Sequence, residues 1–594
     1  MTLTKTVKQL RRVQALQEYQ RWLEKAASNE EIFQELKAIA GHTEEIRDRF
    51  YRELEFGTGG LRGVLGAGTN RMNVYTVGKA TQGLSHYMKR TFATPSVAIA
   101  YDSRIHSDLF AETAATIFAA NGIAVHLYPR LMPTPALSFA VRDLKCSGGV
   151  VITASHNPAK YNGYKVYGPD GCQITTQAAK EIQKEIDAVD PFEDVRRMDF
   201  GTAVARRQII NIDEDTINRY LAAVGTTSVL PEGIDQSFSI VYTPLNGTGV
   251  SCVPRCLKEH GFTRLIMPEE QDHPDGHFPT CPYPNPEIRE ALDIGLQLAQ
   301  STKSDLLLAT DPDCDRVGAA VREDGKYTLI TGNEMGVLLF DFICKMRMAN
   351  GTMPENPIAV KTIVTTPMAA KIAEHYGVEL IDVLTGFKFI GEQIGLLEKK
   401  NEAGRYIFGF EESYGYLSGT YVRDKDAVNA SLLICEMFAW YRSQGKSLVD
   451  ALQALYSQYG YYQSRLLSFE FTGAEGFEAM QKFMEELRIN PPAYILDMEV
   501  MAVGDYLHSC IQHQDGQREA INLPSSNVLR FWLKGDSQVV VRPSGTEPKL
   551  KVYVTTVADT CQASSELAAR LANDFEKRIR RSGEPSMASR NKQG

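Results

Sequence analysis

Four short apolar runs in this chain each end abruptly in a polar loop: SGGVVITASHNP, SDLLLATDPDCDR, GRYIFGFEESYG and SQVVVRPSGTEPK. Each run is too short for a core helix and reads as a strand buried on both faces. Strands of that kind belong to α/β sheets, which bind ligands outside the carboxyl ends of their strands. The pattern therefore predicts four loops that meet at one cleft, and it places the chain in the α/β class.

A chain of 594 residues is too long for a single core, so several units with clefts between them are expected. The strand SVAIAYDSR, a helical stretch over 109–121, the strand AVHLYP and the strand GGVVITASHNP follow one another. Such alternation implies parallel strands with crossover helices. We expect units over 1–208, 209–326, 327–460 and 461–580, the first three of similar βαβ texture. From about Ser464 isolated strands such as RLLSFEF and VLRFWLK give a smaller α+β unit, and the polar tail 581–594 is expected to be disordered.

At the N-terminus, Leu10, Val13, Leu16 and Tyr19 recur at helical spacing in a segment charged throughout, which lacks the apolar core of a signal peptide. The glycine-dense stretch EFGTGGLRGVLGAGTN reads as a loop. It is no dinucleotide fingerprint, because Arg62 takes the place of the final glycine and no strand precedes it. A net charge of −9 gives no basic footprint for nucleic acid or anionic membrane. Ten cysteines without a C-x-x-C pair suggest reduced thiols. A soluble cytoplasmic protein is expected, a monomer or weak dimer acting on small molecules.

Each polar loop carries its own chemistry. Ser155 sits beside His156 on a turn stiffened by Asn157-Pro158, with Lys165 further on, a placement suited to a nucleophile. Taken alone, a Ser-His pair without a G-x-S-x-G elbow reads more readily as a capping serine. Asp311, Asp313 and Asp315 alternate along ATDPDCDR and offer hard oxygen ligands for Mg2+ or a similar ion, with Arg316 adjoining. An EF-hand is excluded, since Arg316 and Arg322 replace its glycine and glutamate. Glu411 and Ser413 could accept from vicinal sugar hydroxyls or cap a helix. Arg542 with Ser544-Gly545-Thr546 and Lys549 could form an anion nest or an ordinary turn. Lys388, Arg423 and Lys425 lie in charge runs of the kind that are most often solvated faces.

In the order TASHNP, DPDCDR, EES and RPSGTEP, these motifs resemble the α-D-phosphohexomutase superfamily, most closely its longer phosphoglucomutase branch, over about residues 56–553. The resemblance implies four domains around a central cleft: three similar βαβ-type mixed-sheet domains and a smaller C-terminal α+β domain. It implies that Ser155 becomes a phosphoserine, that Asp311, Asp313 and Asp315 hold Mg2+ together with one of its oxygens, and that Arg62 lies nearby. His156, Lys165 and Lys388 match positions of proton transfer or substrate contact. Arg316, Gly386, Lys388, Glu411, Ser413 and Arg423 would contact the sugar phosphate, and Arg542, Ser544, Gly545, Thr546 and Lys549 its second phosphate. Asn246 is atypical, standing where relatives often carry histidine.

The implied activity interconverts glucose 1-phosphate and glucose 6-phosphate through a phosphoserine enzyme and glucose 1,6-bisphosphate. Phosphopentomutase and glucose-1,6-bisphosphate synthase are the alternatives within the family, and a Mg2+-dependent sugar-phosphate phosphatase a more distant one. A silent sugar-phosphate-binding regulator would have lost the serine or an aspartate, and this chain keeps them.

Overall fold

The computed structural model describes residues 2–57, 59–471, 473–543, 549–582 and 586–587. Among these, four sheets follow one another along the chain. In the first, strands Gly148–Ile152, Ser96–Tyr101, Ala124–Leu127 and Ile209–Asn211 run parallel. Tyr161–Tyr167 returns antiparallel beside Gly148–Ile152, and Gly60–Val64 pairs antiparallel with it at the edge. The second sheet places Leu306–Thr310 parallel to Ile240–Thr243 and antiparallel to Val317–Glu323. In the third, Tyr406–Glu411 is parallel to Ile358–Thr362 and antiparallel to Gly415–Leu417. The fourth is antiparallel throughout, with Gln538–Pro543 beside Lys549–Ala558.

The expected parallel strands are present in the first three sheets, and the polar loops lie where these strands turn back. Each of the first three loops joins a buried strand to an antiparallel return and is a hairpin turn, and the strands that flank the fourth also pair antiparallel. The first three turns each hold a non-glycine residue in the left-handed region: Ser155 (φ 52), Cys314 (φ 52) and Tyr414 (φ 64). An L-residue there costs about 1–2 kcal/mol, so the surrounding structure must hold it.

One apolar core runs from the first sheet (Ala98, Val151) through the second (Ile240, Leu308) to the third (Val360, Phe408). The fourth sheet has its own core around Phe469, Phe531, Val541 and Phe575. Helix Leu448–Tyr459 passes into strand Tyr461–Glu470 through Gly460, whose φ of 102 and 2.8 Å approach of a notional Cβ to Val557 require glycine.

Two local expectations change. Among the described side chains of helix Thr2–Lys25, Ala15, Tyr19 and Trp22 are buried, as is Ala26 just beyond its end, while Val13 and Leu16 point outward. The stripe is set one notch aside because Trp22 packs edge-on against Phe50, Tyr75 and Phe192. Gly60–Val64, read as loop, is a strand, since its register against Tyr161–Tyr167 satisfies its backbone. The tail expected to be disordered lies outside the described residues, save helix-terminal 581–582 and Ser586–Met587, which pair with Phe469 and Glu470.

Candidate active site

The turn after Gly148–Ile152 presents Ser155, which is 3% exposed. Its backbone N–H donates to Thr153 Oγ1 at 2.8 Å, and Thr153 in turn donates to Asp102 Oδ2 at 2.6 Å. Arg104 does the rest. Its guanidinium donates to the carbonyls of Pro158 and Tyr161, each at 3.0 Å, and to those of Ser155 and Asn157. One buried cation thus gathers four carbonyls of the serine turn, while Phe278 from the second sheet's long loop lies 5.1 Å beneath it.

The second turn meets the first directly. Ser155 Oγ donates to Asp311 Oδ2 at 2.9 Å and lies 3.2 Å from His156 Nδ1. Burial, reinforced by the Arg316 and Arg62 charges, pushes the His156 imidazole well below its usual range, so it is neutral. Asp311 Oδ1 accepts from the backbone N–H groups of Asp315 and Arg316 at 3.1 and 2.9 Å, which curls the turn around its own first carboxylate.

Asp311, Asp313 and Asp315 bring ligand oxygens within 4.8 Å of one another, all buried. Lys165 Nζ reaches Asp313 at 2.7 Å and Asp315 at 3.5 Å, and Lys425 Nζ reaches Asp315 at 3.1 Å. The carboxylates still outnumber these ammonium groups by one. Asp313 Oδ1 and Asp315 Oδ1 are buried without a hydrogen-bond partner. Burial and the two neighbouring carboxylates push Asp311 well above its usual range. Orphaned hard oxygens around an excess of negative charge fit a divalent cation, and no thiol or imidazole in the trio favours a softer metal.

Burial opposes the charge on Lys165, yet Asp313 and Asp315 hold its pKa above the ordinary value. Its ammonium group is thus paired with both carboxylates. Arg316 donates to Glu287 Oε1 at 2.5 Å, which aims it across the cleft.

On the third turn Glu411 is 5% exposed and accepts from the backbone N–H of Gly386 at 2.9 Å. Gly386 has φ 122 and starts helix Phe387–Lys399, which carries Lys388. Burial lowers the Lys388 pKa, in contrast to Lys165. Ser413 is half-buried beside Glu411. Glu412 lies 3.4 Å from both Thr362 Oγ1 and Thr365 Oγ1, and burial together with the Glu411 charge pushes it up to about 7.

The fourth turn is only partly described. Ser544, Gly545 and Thr546 lie outside the described residues, while Arg542 and Lys549 flank them. Lys549 pairs with Glu470 at 3.1 Å. Arg542 stands opposite Lys551 across the strand pair and lies within electrostatic reach of Tyr553. Lys551 lies within electrostatic reach of Glu287, Glu412, Arg316 and His156, so the fourth sheet faces the other three turns. Arg62, on edge strand Gly60–Val64, acts electrostatically on both His156 and Arg104.

Arg423 is the expected site residue that the structure puts elsewhere. Its side chain is fully buried, donating to the carbonyls of Thr420 and Val422 and to Glu398 at 2.8 Å, while its backbone N–H donates to Ser138 Oγ at 2.9 Å. It joins the first unit to the third and leaves its neighbour Lys425 to face the carboxylates. Asn246 has φ 57 and donates to the carbonyls of Glu270 and His273 at 3.1 and 2.9 Å, so it ties down the loop that brings Phe278 to Arg104. Arg104, Glu287 and Lys551 are the contributors not singled out from sequence, and Lys425 reads there only as part of a charge run. For Arg104 a signal existed in the charge ending strand SVAIAYDSR; for the others, long-range packing alone supplies it.

Four family models describe successive stretches of the chain: phosphoglucomutase/phosphomannomutase alpha/beta/alpha domain I over 53–192, domain II over 218–325, domain III over 331–459 and the C-terminal domain over 515–577. The phosphoglucomutase of Staphylococcus aureus (strain MSSA476) is 37% identical over 515 residues, covering 86% of this chain and 91% of that protein. The phosphoglucomutase of Staphylococcus haemolyticus (strain JCSC1435) is 36% identical over 520 residues, 87% and 93% of the two chains. Among solved structures, a putative phosphomannomutase from Thermus thermophilus shares the fold with a TM-score of 0.67 at 21% identity, over 89% of this chain and 99% of that one. The open form of parafusin, a phosphoglucomutase from Paramecium, gives 0.66 at 18% identity, over 90% and 95%. Among the described residues no helix is long and apolar enough to cross a membrane.

Proposed function

The chain belongs to the phosphoglucomutase/phosphomannomutase family, and from that premise we propose that it interconverts glucose 1-phosphate and glucose 6-phosphate. The observation that carries this reading is Ser155 Oγ held 2.9 Å from Asp311, at the edge of a carboxylate trio with two unpartnered oxygens. In the active form Ser155 bears a phosphoryl group. Asp311, Asp313 and Asp315 would hold Mg2+, which when bound neutralises charge on the phosphoryl oxygens.

The P–O bond from Ser155 breaks as the free hydroxyl of the sugar monophosphate attacks phosphorus, giving glucose 1,6-bisphosphate and a serine oxygen that takes up a proton. The bisphosphate turns over and its other phosphoryl group returns to Ser155, releasing the isomeric monophosphate. Transfer of this kind depends on positioning and charge neutralisation more than on a strong base. Arg316 and Arg62 supply guanidinium charge, and Lys165 and Lys425 stay protonated beside Asp313 and Asp315. His156 and Lys388 are the candidates to receive the proton of the attacking hydroxyl. Neutral His156 accepts from Ser155 once the phosphoryl group has left.

Glu411 and Ser413 hold the sugar hydroxyls, with Gly386 fixing Glu411. Arg542, Lys549, Lys551 and the backbone over 544–546 grip the phosphate that does not react, in either orientation of the sugar. Closure of the fourth unit, the segment we delimit as 461–580, keeps water from the phosphoryl group. The boundaries near 208 and 326 divide the remainder. All ten cysteines are free and eight are buried, which suits the reducing cytoplasm.

A coupled assay on glucose 1-phosphate, with and without glucose 1,6-bisphosphate and beside mannose, ribose and deoxyribose 1-phosphates, tests the reading. Glucose 1-phosphate should have the highest kcat/KM and the bisphosphate should activate. A higher kcat/KM on a pentose phosphate, a requirement for an acyl-phosphate donor, or steady release of inorganic phosphate would overturn it.

A further inference from the structure

Strand Glu379–Val383 forms an edge of the third sheet and carries Asp382 toward the fourth. Asp382 Oδ1 lies 2.7 Å from Nζ of Lys361, its register partner on Ile358–Thr362. Its other oxygen accepts from Arg530 across the boundary at 3.3 Å. The Arg530 side chain is 9% exposed and that of Asp382 36%, so the bridge sits at the rim of a contact, sheltered on one side and wet on the other.

Arg530 is held rigidly on its own side. Its guanidinium stacks over Trp532 at 4.4 Å and Nε donates to Gln538 at 2.9 Å. Around the bridge Ile363, Val364 and Leu384 of the third unit pack against Tyr506, Val528, Val540 and Tyr553 of the fourth. Arg530 stands opposite Val540 on the strand that continues to Arg542, and Val540 in turn stands opposite Tyr553. The boundary contact and Arg542 therefore belong to one hairpin, and a tilt at one moves the other.

We propose that Asp382 and Arg530 are positioning residues whose bridge sets the angle at which the C-terminal unit offers Arg542 to substrate. The inference rests on Arg542 being the arm that grips the non-reacting phosphate. Apolar contact is non-directional and supplies attraction, whereas a charge pair fixes register. An ion pair this wet is weak enough to break and reform each time the cleft opens.

The test uses the full chain and two variants, Arg530→Met and Arg530→Lys. Both leave the Asp382–Lys361 pair in place. Arg530→Met should raise KM for glucose 1-phosphate about 5-fold, the equivalent of about 1 kcal/mol, with kcat and melting temperature unchanged, and Arg530→Lys should recover most of it. Without substrate, backbone hydrogen exchange over 380–384 and 521–531 should quicken in Arg530→Met and return toward normal in Arg530→Lys. Unchanged exchange, or a fall in kcat at constant KM, overturns the bridge. If wild-type protein lacks mutase activity while exchange responds as described, the functional reading fails and the contact between the units stands.

Discussion

The first three units and the C-terminal one are attached to the molecule in different ways. The three-unit body shares one apolar core, and its units are further tied by buried polar bonds such as Tyr220 to Asp426 at 2.9 Å and Tyr167 to Asp424 at 2.7 Å. The C-terminal unit has a core of its own, meets the body through a small apolar patch and through Tyr461, Tyr462 and Val557 at its root, and follows the third unit's last helix after a single glycine. Elements that must hold fixed distances stand in the body: Ser155, the aspartate trio, Lys165 and Lys425. Those we propose to grip a phosphate, Arg542 and Lys551, stand on the unit that has least to break when it moves. Body residues should therefore govern kcat, and C-terminal residues KM.

The largest effect should come from Ser155→Ala, with mutase activity lost by at least about 1,000-fold. A left-handed alanine costs the fold little more than the serine did, so its melting temperature should stay within a few degrees of wild type. Substantial residual turnover would end the phosphoserine route. Asp313→Asn should come next, lowering kcat about 100-fold or more and weakening Mg2+ binding measured by calorimetry on the substrate-free protein. After it, Arg104→Lys keeps the charge but cannot reach four carbonyls, so kcat should fall about 10-fold at constant KM. A pure KM effect there would erase the distinction between the units.

Arg542→Ala should do the reverse, raising KM about 10–100-fold with kcat nearly preserved, because its phosphate contact exists in ground and transition states alike. The smallest effect concerns pH. Burial pushes Glu412 up to about 7, above the carboxylate's unfolded value, so the protonated form favours the native state. That contribution is complete below pH of about 4.5 and is lost as pH rises through about 7. It amounts to no more than about 3 kcal/mol. Glu412→Gln should therefore melt higher than wild type at pH 8, and the difference should vanish near pH 4.5. A constant difference across that range would show that Glu412 does not titrate there.

The legible parts of the site were those that a few contiguous residues encode. Asp311, Asp313 and Asp315 share one turn, so their spacing alone brings their oxygens together, and Ser155 comes directly after its strand. Partners brought in from afar left no such trace. Lys425 looked like part of a solvated charge run, yet the packing of Arg423 against Glu398 turns it inward to Asp315. The α/β class and buried strands were readable from apolar runs, but whether a strand returns by hairpin or helix depends on the residues beyond the turn. YNGYKVY and VGAAVRE are strands that pair antiparallel with their predecessors, a choice that local apolarity does not encode. The N-terminal helix shows the same limit, since aromatic packing at Trp22, and not the sum of apolar residues, decides which face is buried.

Transfer from Ser155 in a single turnover tests the central claim most directly. Protein carrying a radiolabelled phosphoryl group is mixed with excess glucose 1-phosphate and quenched on the timescale of one turnover. The label should leave the peptide containing Ser155 and appear in glucose 1,6-bisphosphate and glucose 6-phosphate. Label that stays on the protein while product forms, or that emerges as inorganic phosphate, would contradict the account.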